Sequence, residues 1–133
     1  MDHFATRVMR RNTLFLRVLV ACLAVFLTSC GTPAGEGRKA NAGYKSAVPV
    51  IAALEKFHGE RGQYPANLDE LVPTYLPNSR ALFVRGTGES SLDAFRYRRD
   101  GDSYSLMFSY TGPGMNNCWY DSTTKQWAAH GYY

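Results

Sequence analysis

The chain has 133 residues, of which 15 are lysine or arginine and 11 are aspartate or glutamate, so its formal net charge at neutral pH is +4. Four of the arginines and one aspartate precede residue 30, and the rest of the chain, with 11 basic and 10 acidic side chains, is close to neutral. The basic balance therefore belongs to the N-terminal segment, and the sequence predicts no nucleic-acid partner.

The first 30 residues have the pattern of an export signal. Four arginines precede an apolar run over residues 18–27, about half of the roughly 20 residues needed to cross a bilayer. The run ends in Leu27-Thr28-Ser29-Cys30, which resembles the lipobox of bacterial lipoproteins. The resemblance implies cleavage before Cys30, acylation of its thiol and, because Gly31 follows, sorting to the outer membrane with the folded part in the periplasm. An ordinary cleaved signal peptide is the alternative.

Composition divides the chain into three segments. Residues 1–29 are the predicted signal peptide. Residues 30–43 are the lipidated cysteine and a linker rich in glycine and alanine, which is typical of a flexible tether. Residues 44–133 are the predicted domain, which is long enough for one modest core.

Apolar residues recur at spacings of three and four at the start of this domain, which predicts a long amphipathic helix. They are Tyr44, Ala47, Val48, Ile51, Leu54 and Phe57. Pro49 lies inside the pattern, where it either kinks the helix or occupies its first turn with Ser46 as the cap. Gly59 and Gly62 are expected to end the helix.

The rest of the domain changes from helical to strand periodicity. Asn67 and Glu70 have the spacing of a capping box, which predicts a short second helix. From residue 95 onward apolar and polar residues alternate, and Asp100-Gly101 between two such runs predicts a hairpin. Further strands are predicted over residues 118–120 and 126–129, and a short early one over residues 81–84. The expected fold is α+β, with both helices packed on an antiparallel sheet of three or four strands.

The first helix and the turn after it form a motif. The helix segment from Val50 to His58 is followed by Gly62-Gln63-Tyr64-Pro65 and by leucines at positions 68 and 71. This stretch resembles the globular half of type IV pilins, most closely the major pseudopilin of type II secretion. The resemblance covers residues 44–76 and implies a pilin-like domain.

Two features of that family are missing. Residues 1–30 contain no glycine at which a pilin leader would be cut, and no apolar helix precedes Tyr44, so pilin-type polymerisation is not expected. Asp93 lies near the position of the pseudopilin calcium loop, but the typical Asp-Pro-Trp-Gly sequence is absent and no calcium site is predicted.

The sequence predicts no catalytic residue, no cofactor and no metal site. His58, His130 and Cys118 lack the paired spacing of zinc ligands. His58 is expected to pack on Tyr64 or to interact with the end of the helix, and His130 is expected to be exposed. Cys118 lies beside aromatic residues and is expected to be buried, with an intermolecular disulfide or a catalytic thiol as the alternatives.

Candidate interaction residues lie in the predicted sheet. Arg96 and Arg98 fall on the strand face opposite Phe95 and Tyr97, where they suit anionic lipid or an acidic partner, and a solvated outer face is the alternative. The C-terminal segment also has aromatic residues suited to a groove for glycan or peptide. Some of four residues are expected to line it, while most aromatic residues of this segment are expected in the core: Trp119, Trp127, Tyr132 and Tyr133.

The sequence thus favours a lipid-anchored structural or interaction protein of the cell envelope without enzymatic activity. Its expected partners are the membrane, through Cys30, and an envelope protein, for which a component of a secretion or pilus apparatus is the candidate. Two alternatives remain open: a module that binds cell-wall glycan or peptide, and a small envelope enzyme or enzyme inhibitor.

Overall fold

The computed structural model of the chain describes residues 32–86, 94–112 and 114–132. The predicted signal peptide, Cys30 and Asp93 lie outside these residues. Within them, one long helix, α1 (Gly37–Arg61), is followed by two short 3-10 helices (Leu68–Leu71 and Ser79–Leu82) and four strands. The strands are β1 (Arg96–Asp100), β2 (Ser103–Thr111), β3 (Met115–Asp121) and β4 (Gln126–Tyr132).

Helix α1 begins seven residues before the predicted start of the domain at Tyr44, so part of the expected tether is helical. Ala40 and Gly43 are buried in it, and a Cβ atom at Gly43 would overlap the ring of Phe108. Small residues therefore let the helix approach the sheet closely. The linker prediction was wrong for residues 37–43 because composition alone does not distinguish this role from flexibility.

The earlier start places Pro49 in the helix interior instead of its first turn. Ser46 is not the cap: its hydroxyl donates to the carbonyl of Ala42 at 2.9 Å and accepts the N–H of Arg85 at 3.1 Å. The end of the helix is as expected. Gly62 adopts the left-handed conformation (φ 73°), and its N–H donates to the carbonyl of His58 at 2.8 Å.

The predicted capping box is confirmed, although it begins a four-residue 3-10 helix. The Asn67 side chain accepts the N–H of Asp69 at 3.0 Å, and the Glu70 carboxylate accepts the N–H of Asn67 at 3.2 Å. The strand predicted over residues 81–84 was wrong. Asn78 caps the turn of the second 3-10 helix there, and only Phe83 makes a bridge, to Ala94.

The four strands form an antiparallel sheet in the order β1-β2-β3-β4. The predicted hairpin is confirmed: Asp100 pairs with Ser103, and Gly101 (φ 57°) lies in the two-residue turn between them. Strands β3 and β4 extend beyond the predicted residues 118–120 and 126–129.

Helix α1 packs on one face of this sheet, which we call the helix face. Strand β2 alternates strictly, with Tyr104, Leu106, Phe108 and Tyr110 buried on that face. Ala47, Val50 and Leu54 of the helix belong to the same core. The predicted α+β architecture is confirmed, as one long helix on a four-stranded antiparallel sheet. Among the described helices none is long and apolar enough to cross a membrane.

Candidate interaction surface

The second face of the sheet is covered by no helix or strand in the described part of the chain, and we call it the open face. One row of side chains crosses all four strands on this face. Arg96 pairs with Met107, Met107 with Trp119, and Trp119 with Ala128. Directly paired residues of an antiparallel sheet lie on the same side, so these four side chains are neighbours.

Both predicted arginines lie on the open face, and both are exposed. Arg98 begins the adjacent row, which continues through Ser105 to Asp121. Two backbone N–H groups, of Thr124 and then Thr123, donate to the Asp121 carboxylate and lower its pKa. The row therefore presents positive charge at the β1 edge and negative charge further across the sheet.

The opposite side of β1 is tied to the rest of the domain, as the predicted alternation requires. The hydroxyl of Tyr97 donates to the carbonyl of Pro65 at 2.8 Å, and Arg99 donates to the carbonyl of Tyr64 at 2.9 Å. Burial raises the pKa of Tyr97 to about 12. These bonds fix the strand, so that Arg96 and Arg98 project from an ordered edge.

The two tryptophans lie on opposite faces of the sheet. Trp119 is 37% exposed on the open face. Trp127 lies on the helix face, where its ring centroid is 4.9 Å from Tyr44 and 5.4 Å from both Phe108 and Tyr120. The two tryptophans therefore cannot line one groove, because the register pairs Trp127 with inward-facing Tyr120. Trp119 and Tyr132 remain the candidates for a groove on the open face, and Tyr133 lies outside the described residues.

The sequence did not single out Met115, which is 55% exposed beside Tyr132, itself 62% exposed. Both belong to the open face at the end of the sheet where β2 turns into β3. The ring of His130 lies 4.7 Å from that of Tyr132. The alternation along β3 would have revealed Met115 had the strand been predicted to start there.

The histidines lie in different layers. His58 stacks on Tyr64 with centroids 4.3 Å apart, as predicted, on the helix side of the sheet. His130 is exposed, as predicted, on the open face of β4. The sheet therefore separates them. Within residues 32–86, 94–112 and 114–132, no three His, Cys, Asp or Glu side chains are grouped as metal ligands.

Cys118 is fully buried, which confirms the structural prediction. The hydroxyl of Tyr44 donates to its Sγ atom at 3.6 Å. Burial raises the pKa of the thiol, so its reactive thiolate form is disfavoured. The thiol is therefore not presented to a second chain in this fold.

One carboxylate links the helix to the sheet. The hydroxyls of Tyr104 and Tyr64 donate to Glu55 at 3.2 and 3.3 Å. Burial, and then the negative charge of Glu55, raise the pKa of Tyr104. Because Tyr104 is nearly inaccessible, its hydroxyl depends on this acceptor, and the cluster has a structural role between the two layers.

No protein-family model matches this chain, and no curated protein or solved structure matches it significantly. Function must therefore be inferred from the residues and their geometry. The described candidates are the exposed arginines and Trp119 of the open face, and the predicted acylation site, Cys30, precedes the described residues.

Proposed function

We propose that this chain is a lipid-anchored interaction protein of the bacterial cell envelope, without enzymatic activity. Cys30 holds it on the outer membrane, and the domain lies in the periplasm. The lipobox supports the anchor, since Leu27-Thr28-Ser29-Cys30 follows a basic segment and a short apolar run. More than one acyl chain is expected in this class, which makes anchoring stable.

The open face supports the interaction role, and Trp119 is the observation on which that role chiefly rests. Its exposed ring lies between Met107 and Ala128, and the same row ends in Arg96. Tryptophan and arginine are the residues most often found at the energetic centre of protein interfaces. A partner of matching chemistry has an apolar centre for Trp119 and an acidic rim toward the β1 edge.

The resemblance to pseudopilins suggests which partner to look for. Gly62-Gln63-Tyr64-Pro65 ends a helix that packs on an antiparallel sheet, which is the arrangement the resemblance implies. Residues 1–30 contain no glycine at which a pilin leader would be cut, and the sequence pattern predicts no apolar assembly helix before Tyr44. We therefore place the chain beside a secretion or pilus apparatus, as a component that binds the assembly without polymerising.

Photo-crosslinking in cells tests this proposal. A photo-crosslinking amino acid replaces Ala128, which is exposed beside Trp119, and in a matched control it replaces Ala52, which is exposed on the helix. We expect adducts with a secretion or pilus protein from position 128 alone. Trp119→Ala should reduce them, and urea unfolding shows that the variant stays folded, with an expected loss of about 1–2 kcal/mol in the free energy of unfolding from strand packing.

Adducts of equal yield from both positions would contradict a role for the open face.

The second candidate function, binding of wall glycan or peptide, is favoured by the exposure of Trp119 and Tyr132 on the same face. It predicts adducts with wall fragments from position 128. It also predicts a shift of Trp119 fluorescence when those fragments are added to a Trp127→Phe protein.

A further inference from the structure

The chain enters the domain at a fixed place. The N–H of Gly35 donates to the hydroxyl of Tyr110 at 2.9 Å, and the carbonyl of Gly35 accepts the hydroxyl of Tyr44 at 3.0 Å. A Cβ atom at Gly35 would lie 2.5 Å from that of Ala129, so the backbone sits directly on β4. These contacts hold the entry segment on the helix face, over the middle of β4 and beside Tyr44, before the helix begins.

The N-terminus of α1 and the strand ends at Gly112, Gly114, Met115 and Tyr132 lie at one end of the domain, which we call the anchor end, and residues 32–36 lead into this helix terminus. The pairing of Thr111 with Met115 and of Met115 with Tyr132 places these strand ends together. Lys39, in the first turn of α1, donates to the carbonyl of Thr111 at 2.7 Å, so the N-terminus of the helix lies there too. The turns over residues 101–102 and 122–125 lie at the opposite end.

Chain length limits the distance between this end and the proposed anchor. Four residues lie between Cys30 and Gly35, and the five Cα–Cα steps that join them span at most about 18 Å when fully extended. The bond from the N–H of Glu36 to the carbonyl of Pro33 turns the segment and shortens it. Helix α1, with 25 residues, is about 37 Å long. The connection is therefore much shorter than the helix, so the C-terminal end of α1 cannot replace its N-terminal end at the membrane.

The side chains at the two ends differ in character. The anchor end exposes Met115 and Tyr132, and the exposed Arg38 lies in the first turn of the helix. Glu36 is the acidic residue there. The opposite end has Asp100 and Asp102 at one turn, with Asp121 and the exposed Lys125 at the next, so carboxylates outnumber basic groups in these turns. An apolar and basic end suits an anionic bilayer surface, whereas an end with several carboxylates does not.

We infer that the anchor end docks on the anionic headgroup surface of the bilayer that holds the acylated Cys30. The inference rests on the proposed lipid anchor and adds an orientation to it. Met115 and Tyr132 enter the headgroup region, and Arg38 faces lipid phosphates. Helix α1 then rises steeply from the membrane, and the open face, with Arg96 and Trp119, is presented sideways to a protein partner.

Depth-dependent fluorescence quenching tests the orientation. The acylated protein carries a bimane label on Met115→Cys, in vesicles of phosphatidylethanolamine and phosphatidylglycerol that contain a lipid with a nitroxide near its headgroup. Matched controls carry the label on Thr124→Cys at the opposite end and on Ala128→Cys in the middle of the open face, both exposed positions. We expect several-fold stronger quenching at position 115 than at either control, and weaker quenching there when phosphatidylcholine replaces phosphatidylglycerol.

The outcomes separate the two proposals. The intact mass of the purified protein is measured first, and a mature chain without acyl groups on Cys30 would refute the anchor itself. Acylated protein that is quenched equally at positions 115, 124 and 128, or at none of them, would refute docking by the anchor end while leaving the anchor intact. Unchanged quenching in neutral vesicles would refute the role of anionic headgroups.

Discussion

Gly43 is where helix and sheet approach most closely, and replacing it tests this packing. In Gly43→Ala the new methyl group overlaps the ring of Phe108, which is 1% exposed. That ring cannot move freely, because the ring centroids of Tyr44 and Trp127 lie 5.3 and 5.4 Å from it. Overpacking costs about 1–3 kcal/mol, and the upper end applies to a ring held in this way. The higher helix propensity of alanine offsets about 1 kcal/mol of this loss in the free energy of unfolding.

We therefore expect Gly43→Ala to lower the free energy of unfolding by about 2 kcal/mol, or Tm by roughly 8–16 °C in a domain of this size. Gly59→Ala is the matched control on the same helix. Nothing lies within 4 Å of the Cβ atom added at position 59, so the helix preference of alanine should raise the free energy of unfolding by about 0.5–1 kcal/mol. Urea unfolding followed by far-UV circular dichroism measures both. A Gly43→Ala protein as stable as Gly59→Ala would refute the close packing of α1 on Phe108.

Three further predictions concern the exposed Glu55 as acceptor of the buried Tyr104, the half-buried Tyr97 and the buried Cys118. Glu55→Ala removes the acceptor of the Tyr104 hydroxyl and should lower the free energy of unfolding by about 1–3 kcal/mol. Glu55→Gln keeps an acceptor oxygen and should lower it less. Equal losses for the two variants in urea unfolding would contradict the role of Glu55 as acceptor. Burial raises the pKa of Tyr97 from 10.0 to about 12, so its contribution to stability is complete below pH 10 and is lost as the pH rises toward 12. Between pH 10 and 12 the free energy of unfolding of Tyr97→Phe should therefore fall less than that of the parent. Parallel falls in the two proteins would contradict the raised pKa of Tyr97. Cys118 should react with a thiol reagent only in denaturant, and rapid reaction of the native protein would show that it is accessible.

Local signals in the sequence predicted most of the elements after the first helix. The capping box of Asn67 and Glu70 depends on side chains three residues apart, and it forms as expected. The hairpin at Asp100-Gly101 and the alternation along β2 are equally local. Such features are predictable because the residues that produce them are neighbours in the chain.

The start of α1 was missed because the reason for it is remote in sequence. Gly43 is small because the ring of Phe108 lies against the helix there, and nothing near Gly43 in the chain indicates that contact. Without knowledge of the contact with Phe108, the composition of residues 37–43 is typical of a linker. Tertiary packing here outweighs the weak helix propensity of glycine.

The site was only half predictable for a related reason. Alternation placed Arg96 and Arg98 correctly, since their strand is fixed by Tyr97. The face occupied by Trp127 depends on its register against Tyr120, and a shift of one residue would have exposed it. Sequence alone therefore could not separate the exposed Trp119 from the packed Trp127.

Acylation of Cys30 is the premise of both the proposed function and the orientation, and metabolic labelling tests it most directly. Cells that express the protein are fed an alkyne fatty acid, and the protein is recovered from the membrane fraction for intact mass measurement. The account predicts a mature chain that begins at Cys30 and carries the labelled acyl groups, with no label in Cys30→Ser. An unlabelled mature chain in the soluble fraction would contradict it.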